Sequence, residues 1–73
     1  MNKHSVILKK FGLRIREIRL RKGITSQMDL AHKTGLDRTY IGGIERGERN
    51  VGLENIEKIA KSLNISLDEL FKF

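Results

Sequence analysis

The chain has 73 residues and no cysteine, which limits it to one small domain with a single core and excludes disulfides and thiolate metal sites. Fifteen Lys and Arg against nine Asp and Glu give a net charge of +6, so we expect a polyanionic partner, either nucleic acid or an anionic membrane. The sequence contains neither a signal-peptide pattern nor an apolar run of membrane-spanning length, so we expect a cytoplasmic protein.

Turn signals at glycine and asparagine residues divide the chain into five helical segments, and no pattern predicts a strand. The first helix is predicted over residues 5–21. Its core-facing residues follow spacings of three and four: Leu8, Phe11, Ile15 and Ile18. Leu13 and Leu20 lie on the other side of this helix, where they are either ordinary exposed leucines or part of a contact surface.

The second and third helices form a helix, tight turn, helix unit. The second is predicted over residues 27–33, with Ser26 as the N-cap whose hydroxyl accepts a hydrogen bond from a free backbone N–H. The third is predicted over residues 38–46. Asp37 is suited to cap its start, and Gly47 is suited to end it in the left-handed conformation.

The fourth helix is predicted over residues 53–63. One apolar face is expected to consist of Leu53, Ile56, Ile59, Ala60 and Leu63. Charge pairs at i and i+4 on its outer side favour the helix: Glu54 with Lys58 and Glu57 with Lys61. Asn64 is predicted to end this helix in the left-handed conformation, and residues 66–69 form a capping-box pattern that opens a short fifth helix.

The lengths of the second and third helices are those of a DNA-binding helix-turn-helix, in which the second helix of the pair enters the major groove. Its first residues lie at the base edges, and here they are Arg38, Thr39 and Tyr40. Arginine can donate two hydrogen bonds to guanine O6 and N7, and threonine combines a hydroxyl with a methyl that can contact thymine. The pattern therefore predicts sequence-specific binding of double-stranded DNA.

Two adjacent glycines, Gly42 and Gly43, interrupt this helix, and each costs up to about 1 kcal/mol relative to alanine. With Ile41 and Ile44 facing the core, the helical period directs both glycines outward, on the same side as Thr39. We interpret them as a bare strip of backbone that lets the helix approach bases or phosphates closely. Close packing against another helix and the absence of any special role are the alternatives.

The sequence resembles a known family over roughly residues 8–71. The resemblance is most specific in the stretch "LDRTYIGGIERGERNVGLENIEKIAKSL". The sequence resembles the DNA-binding domain of the lambda-repressor and Cro-like (XRE) family, and within it the controller proteins of restriction-modification systems. The resemblance implies an all-α, compact five-helix lambda-repressor-like fold whose helix-turn-helix consists of helices 2 and 3. Residues 1–73 would form this single domain, with residues 1–4 as a flexible N-terminus, in a bacterial or phage protein associated with the nucleoid.

Roles for individual residues follow from the resemblance. It implies base contacts by Arg38 and Thr39, with Tyr40 in support, and the helical period places Gly42 and Gly43 at the same base-reading surface. It implies DNA phosphate contacts by Gln27, Arg46 and Asn50, to which we add Arg49 from the same basic group. It also implies a buried ion pair between Arg19 and Glu45 that ties the first helix to the third. This chain has one residue more than the family pattern, at Thr25, which leaves the geometry of that ion pair open.

A helix of this size covers only a few base pairs, so we expect a homodimer on a pseudo-palindromic operator, with its recognition helices about 34 Å apart. The expected dimer interface is the fifth helix with the end of the fourth: Ile65, Leu67 and Phe71. A place in the monomer core is the alternative for Leu67 and Phe71. A dimer beside a promoter would recruit RNA polymerase and a dimer across it would block transcription, and the sequence does not choose between them.

Other classes of protein compete with this interpretation. An antitoxin-type or other protein-binding module with secondary DNA binding is the main alternative, and a first helix lying on a membrane surface is a weaker one. An enzyme is not expected, because His4 and His32 are isolated and helix capping accounts for Asp68 and Glu69. We accordingly expect no metal, no cofactor and no small-molecule ligand.

Overall fold

The computed structural model describes residues 5–73, and over that range the protein is all helical, as predicted. The helices in chain order are α1 (Val6–Arg21), α2 (Gln27–Thr34), α3 (Arg38–Glu45), α4 (Leu53–Leu63) and α5 (Leu67–Leu70). The predicted bounds of the first four differ from the observed ones by at most one residue at either end. The predicted flexible N-terminus, residues 1–4, lies outside the described residues.

Local hydrogen bonds explain where the helices begin and end. A side-chain oxygen accepts a backbone N–H at the start of four of them, from Ser5, Ser26, Asp37 and Ser66. Asn64 ends α4 in the left-handed conformation, with φ 58° and ψ 47°, and Gly47 follows α3 at φ 76°. These caps depend only on neighbouring residues, which is why the sequence predicted all of them except Ser5, which was placed inside the first helix.

The core lies between all five helices of the described part of the chain. Its largest fully buried side chains are Ile15, Leu30, Ile41, Ile44, Ile59, Leu63 and Leu70. The prediction that Leu53 faces this core is wrong, because its side chain is 76% exposed. Leu53 is the first residue of α4, and side chains tilt toward a helix N-terminus, so this one extends past the packed layer.

Two other expectations for α4 and α5 are corrected. Neither Glu54 with Lys58 nor Glu57 with Lys61 is among the ion pairs of the described residues. The capping box is only half formed: the N–H of Glu69 donates to the Ser66 hydroxyl at 3.3 Å, but the Glu69 carboxylate turns away.

The Glu69 carboxylate forms an ion pair with Arg14 of α1 instead. Its guanidinium donates to Glu69 Oε2 at 2.9 Å and to the Glu69 carbonyl oxygen at 2.8 Å, and it lies 3.3 Å from Glu17. Only 9% of the Arg14 surface is exposed. This arginine, which was not among the predicted structural residues, fixes the short α5 against α1.

Glycine also allows a close approach between α1 and α3. A Cβ built on Gly12 would lie 2.7 Å from the carbonyl oxygen of Glu45 and would also overlap that of Ile44. At the same end of α3, a Cβ on Gly47 would lie 2.8 Å from the Cα of Lys9. The backbone of α1 therefore rests directly on the last turn of α3 and sets its position.

Candidate nucleic-acid interface

The first residues of α3 present the side chains predicted to contact bases. Ile41 and Ile44 lie in the core at 1% exposure, and the same helical period leaves Arg38 and Thr39 exposed at the start of the helix. The hydrogen bond from the N–H of Thr39 to Asp37 is 3.0 Å. The guanidinium of Arg38 is therefore carried into solvent by a capped, regular helix.

Tyr40 is more enclosed than its predicted role in base contacts requires. Its side chain is half-buried and packs against the core. Asn55 of α4 donates to the Tyr40 hydroxyl oxygen at 3.2 Å, which leaves the hydroxyl proton free to donate elsewhere. The guanidinium carbon of Arg49 lies 5.8 Å from the centre of the Tyr40 ring. Tyr40 therefore contacts Asn55 and Arg49, and part of its side chain remains exposed to solvent.

The expectation that Gly42 and Gly43 leave a bare strip of backbone is wrong. Both glycines are buried, because side chains from elsewhere lie over them. A Cβ on Gly42 would meet Gln27 Oε1 at 3.0 Å and Arg46 Nη1 at 3.1 Å. A Cβ on Gly43 would lie 2.8 Å from Arg49 Cγ. The glycines do face away from the core, but they make room for the protein's own polar side chains.

Four residues were predicted to bind phosphate, and three of them lie together over α3: Gln27, Arg46 and Arg49. Gln27, at the start of α2, donates one amide N–H to Glu45 Oε1 at 3.0 Å and keeps a second N–H for another acceptor. Arg46 pairs with Glu48 at 3.1 Å while its side chain remains 57% exposed. Asn50 is exposed in the segment before α4. This side of the molecule combines two guanidinium groups with amide donors.

The ion pair between Arg19 and Glu45 is buried and bidentate. Arg19 Nε donates to Glu45 Oε2 at 2.7 Å, Nη2 donates to Oε1 at 3.1 Å, and the two side chains are 5% and 2% exposed. Arg19 Nη1 also donates to the Ile24 carbonyl oxygen at 2.9 Å. Thr25, the additional residue, is exposed in the turn that follows, so it leaves this geometry intact.

The residues predicted for a dimer interface lie at the other end of the chain. Ile65 is half-buried against the core, whereas Leu67 and Phe71 are 43% and 42% exposed. Phe71 also stacks on Phe11 of α1, with ring centres 5.1 Å apart, so it contributes to the monomer as well. Leu53, which was predicted to lie in the core, instead lines a shallow hollow at the surface together with Leu67, Glu54 and Glu57.

The described residues contain no group of three or more His, Cys, Asp or Glu side chains that could hold a metal ion. His32 is exposed near the end of α2, and His4 lies outside the described range. No helix between residues 5 and 73 has the length and hydropathy to cross a membrane. The clustered polar groups over α3 remain the candidate functional site.

Comparisons with known proteins show the family to which this chain belongs. A family model described as Helix-turn-helix matches residues 15–70. Control protein C.BamHI of Bacillus amyloliquefaciens is 52% identical over 63 residues, covering 86% of this chain and 78% of the relative. The crystal structure of the restriction-modification controller protein C.AhdI from Aeromonas hydrophila is 58% identical, with a TM-score of 0.83, covering 88% of this chain and 96% of that one. C.Esp1396I bound to a 25 base pair operator site is 46% identical, also with a TM-score of 0.83, covering 94% and 90%.

Proposed function

This chain belongs to the helix-turn-helix family, and from that premise we propose that it is a sequence-specific DNA-binding transcriptional regulator, the controller protein of a restriction-modification system. The observation that carries the proposal is the outer side of α3, where Arg38 and Thr39 are exposed beside Gln27, Arg46 and Arg49. The structure of C.Esp1396I bound to a 25 base pair operator site supports DNA as the ligand. The role is one of binding, without catalysis or a cofactor, in the cytoplasm where the operator DNA lies.

The proposed contacts divide into two kinds. Arg38 and Thr39 lead α3 into the major groove and read base edges, with Tyr40 beside them. The side chains of Arg46 and Arg49 and the amides of Gln27 and Asn50 bind phosphates and fix the register of the helix. Gln27 is also the first residue of α2, where free backbone N–H groups favour an anion.

We further propose that two copies bind together. The apolar patch of Leu53, Ile65, Leu67 and Phe71 would lie between them, and a two-fold axis there would present both α3 helices to one side of the duplex. A symmetric pair doubles the number of base contacts, which a unique genomic site requires. Recruitment of RNA polymerase or exclusion of it then depends on where the operator lies relative to the promoter.

Selection of bound duplexes from a random pool tests the proposal. We expect one symmetric sequence to be enriched. Arg38→Ala should lower the affinity for it about 10- to 100-fold for each subunit through the lost guanine contacts. Lys61→Ala on α4 removes the same charge from an exposed site away from α3 and should change the affinity by no more than about twofold. Failure to enrich any sequence, or equal losses in the two variants, would refute the proposal.

Salt dependence tests the phosphate contacts separately. Two cationic phosphate ligands in each subunit, Arg46 and Arg49, give four in the dimer and a slope of log K against log salt of about −3.6. Leu67→Glu tests the interface, because a charge in the apolar patch should convert the dimer to monomers in sedimentation analysis. A slope near zero, or an unchanged dimer, would contradict these parts of the proposal.

A further inference from the structure

Arg49 lies outside the helices, yet its side chain is laid along α3. The chain reverses direction after α3, where the N–H of Glu48 donates to the Gly43 carbonyl oxygen at 2.8 Å. Gly47 adopts the positive φ that this reversal requires. This turn brings Arg49, the residue after Glu48, back beside Gly43. The backbone therefore helps to set the position of the Arg49 side chain.

Two contacts then fix the Arg49 side chain. Its aliphatic part fills the space that a side chain at position 43 would occupy, with Cγ 2.8 Å, Nε 3.2 Å and Cδ 3.6 Å from where a Cβ of Gly43 would lie. Its guanidinium lies over the Tyr40 ring, 5.8 Å from the ring centre, a geometry that favours a cation. The ring itself is held by core packing and by Asn55.

We propose that Gly43 and Tyr40 are positioning residues that hold Arg49 over the outer side of α3, ready to bind the DNA backbone. The inference rests on the proposed function and explains the second glycine, which makes room for an arginine of the same chain. Gly43 lies five residues after Arg38, or about 7.5 Å along the helix, so Arg49 adds a guanidinium to those of Arg38 and Arg46 further along α3. An arginine that is already ordered loses less side-chain entropy on binding.

The free protein provides the first test, by NMR of the arginine side chains without DNA. The Tyr40 ring should shift the Arg49 δ protons upfield of their unfolded values, and Gly43→Ala should abolish the shift by displacing Cγ. Gly42→Ala is the matched control, since its Cβ meets only the ends of the Gln27 and Arg46 side chains. Unshifted Arg49 protons in the wild-type protein would overturn the inference and leave the proposed function untouched.

Operator binding provides the second test. Because one charged hydrogen bond is lost per subunit, we expect Arg49→Ala to weaken binding about tenfold for each subunit. Gly43→Ala should weaken the wild-type protein at least about threefold but should change the Arg49→Ala variant by no more than about twofold, since neighbouring residues that act together are not additive. The salt slope should flatten in both single variants.

The outcomes separate the two hypotheses. Equal losses from Gly43→Ala in the wild-type and Arg49→Ala backgrounds would show that the glycine acts on DNA directly, and the positioning role would be refuted. Failure of the wild-type protein to bind any operator would refute the proposed function, and the DNA role of Arg49 with it.

Discussion

Replacing Arg19 by methionine should destabilise this fold far more than replacing an exposed arginine. The substitution keeps most of the aliphatic volume but leaves the Glu45 carboxylate, at 2% side-chain exposure, with only the Gln27 amide as a donor. Removing one partner of a buried ion pair costs about 3–5 kcal/mol. A chain of this length has a free energy of unfolding of about 4–11 kcal/mol, so the variant approaches the limit of folding.

Urea unfolding followed by circular dichroism measures this loss, with protein concentration held constant because dimerisation contributes to stability. Arg21→Met is the matched control: its pair with Glu17 has a distance of 3.1 Å but both side chains are more than half exposed, so it should cost about 0.5 kcal/mol or less. In thermal unfolding, the Arg19 variant should lose at least about 12 °C in Tm.

A double substitution separates the energy of the pair from the cost of a single unpaired charge. Arg19→Met with Glu45→Leu removes both charges and should recover most of the stability, to within about 2 kcal/mol of the wild type. Operator affinity should stay reduced, because the pair no longer fixes α1 against the end of α3. A cost below about 1 kcal/mol for Arg19→Met alone, or a double variant as unstable as the single one, would refute the buried charge as the cause.

Three further predictions concern single positions. Gly12→Ala should cost about 1–3 kcal/mol in urea unfolding, since its Cβ meets the Glu45 carbonyl oxygen and backbone cannot rotate away, so an unchanged stability would refute the close approach. Asp37→Ala should cost about 1 kcal/mol by removing the cap of α3, and an unchanged Tm would contradict this. The hydrogen bond with Ser66 is the first cause that lowers the pKa of Asp68, so Asp68 adds stability above its unfolded pKa that is lost as pH falls through the folded one. Ser66→Ala should raise that pKa in an NMR titration, and no change would exclude the hydrogen bond as its cause.

The sequence predicted the helices well because their signals are local. Ser26, Asp37 and Asn64 act on backbone groups within a few residues, and the apolar spacing needs no knowledge of the partner helices. Residues that act through distant contacts were missed or misplaced. Leu53 satisfied the period of α4, but its place at the helix start exposes it.

Two of the missed residues did carry a signal. Gly12 lies inside a helix, as Gly42 does. A glycine at such a position indicates that another part of the chain packs closely against the helix there, and this signal could have predicted the contact with α3. Arg14 lies between Phe11 and Ile18 at spacings of three and four, so its position on the buried side of α1 was readable. The sequence could not predict that Arg14 donates to Glu69, because Glu69 lies 55 residues away along the chain. Likewise, the side chains that cover Gly42 and Gly43 come from α2 and from the segment after α3.

The contact of α1 with the last turn of α3 has an evolutionary consequence. It relies on main-chain atoms and on the buried pair of Glu45 with Arg19, whereas Arg38 and Thr39 are exposed at the other end of α3. Under the proposed function, substitutions at positions 38 and 39 would therefore alter which duplex is preferred without altering the position of the helix. Descendants of one gene can diverge in target sequence through a few codon changes, and two such regulators can operate in one cell without acting on each other's promoters.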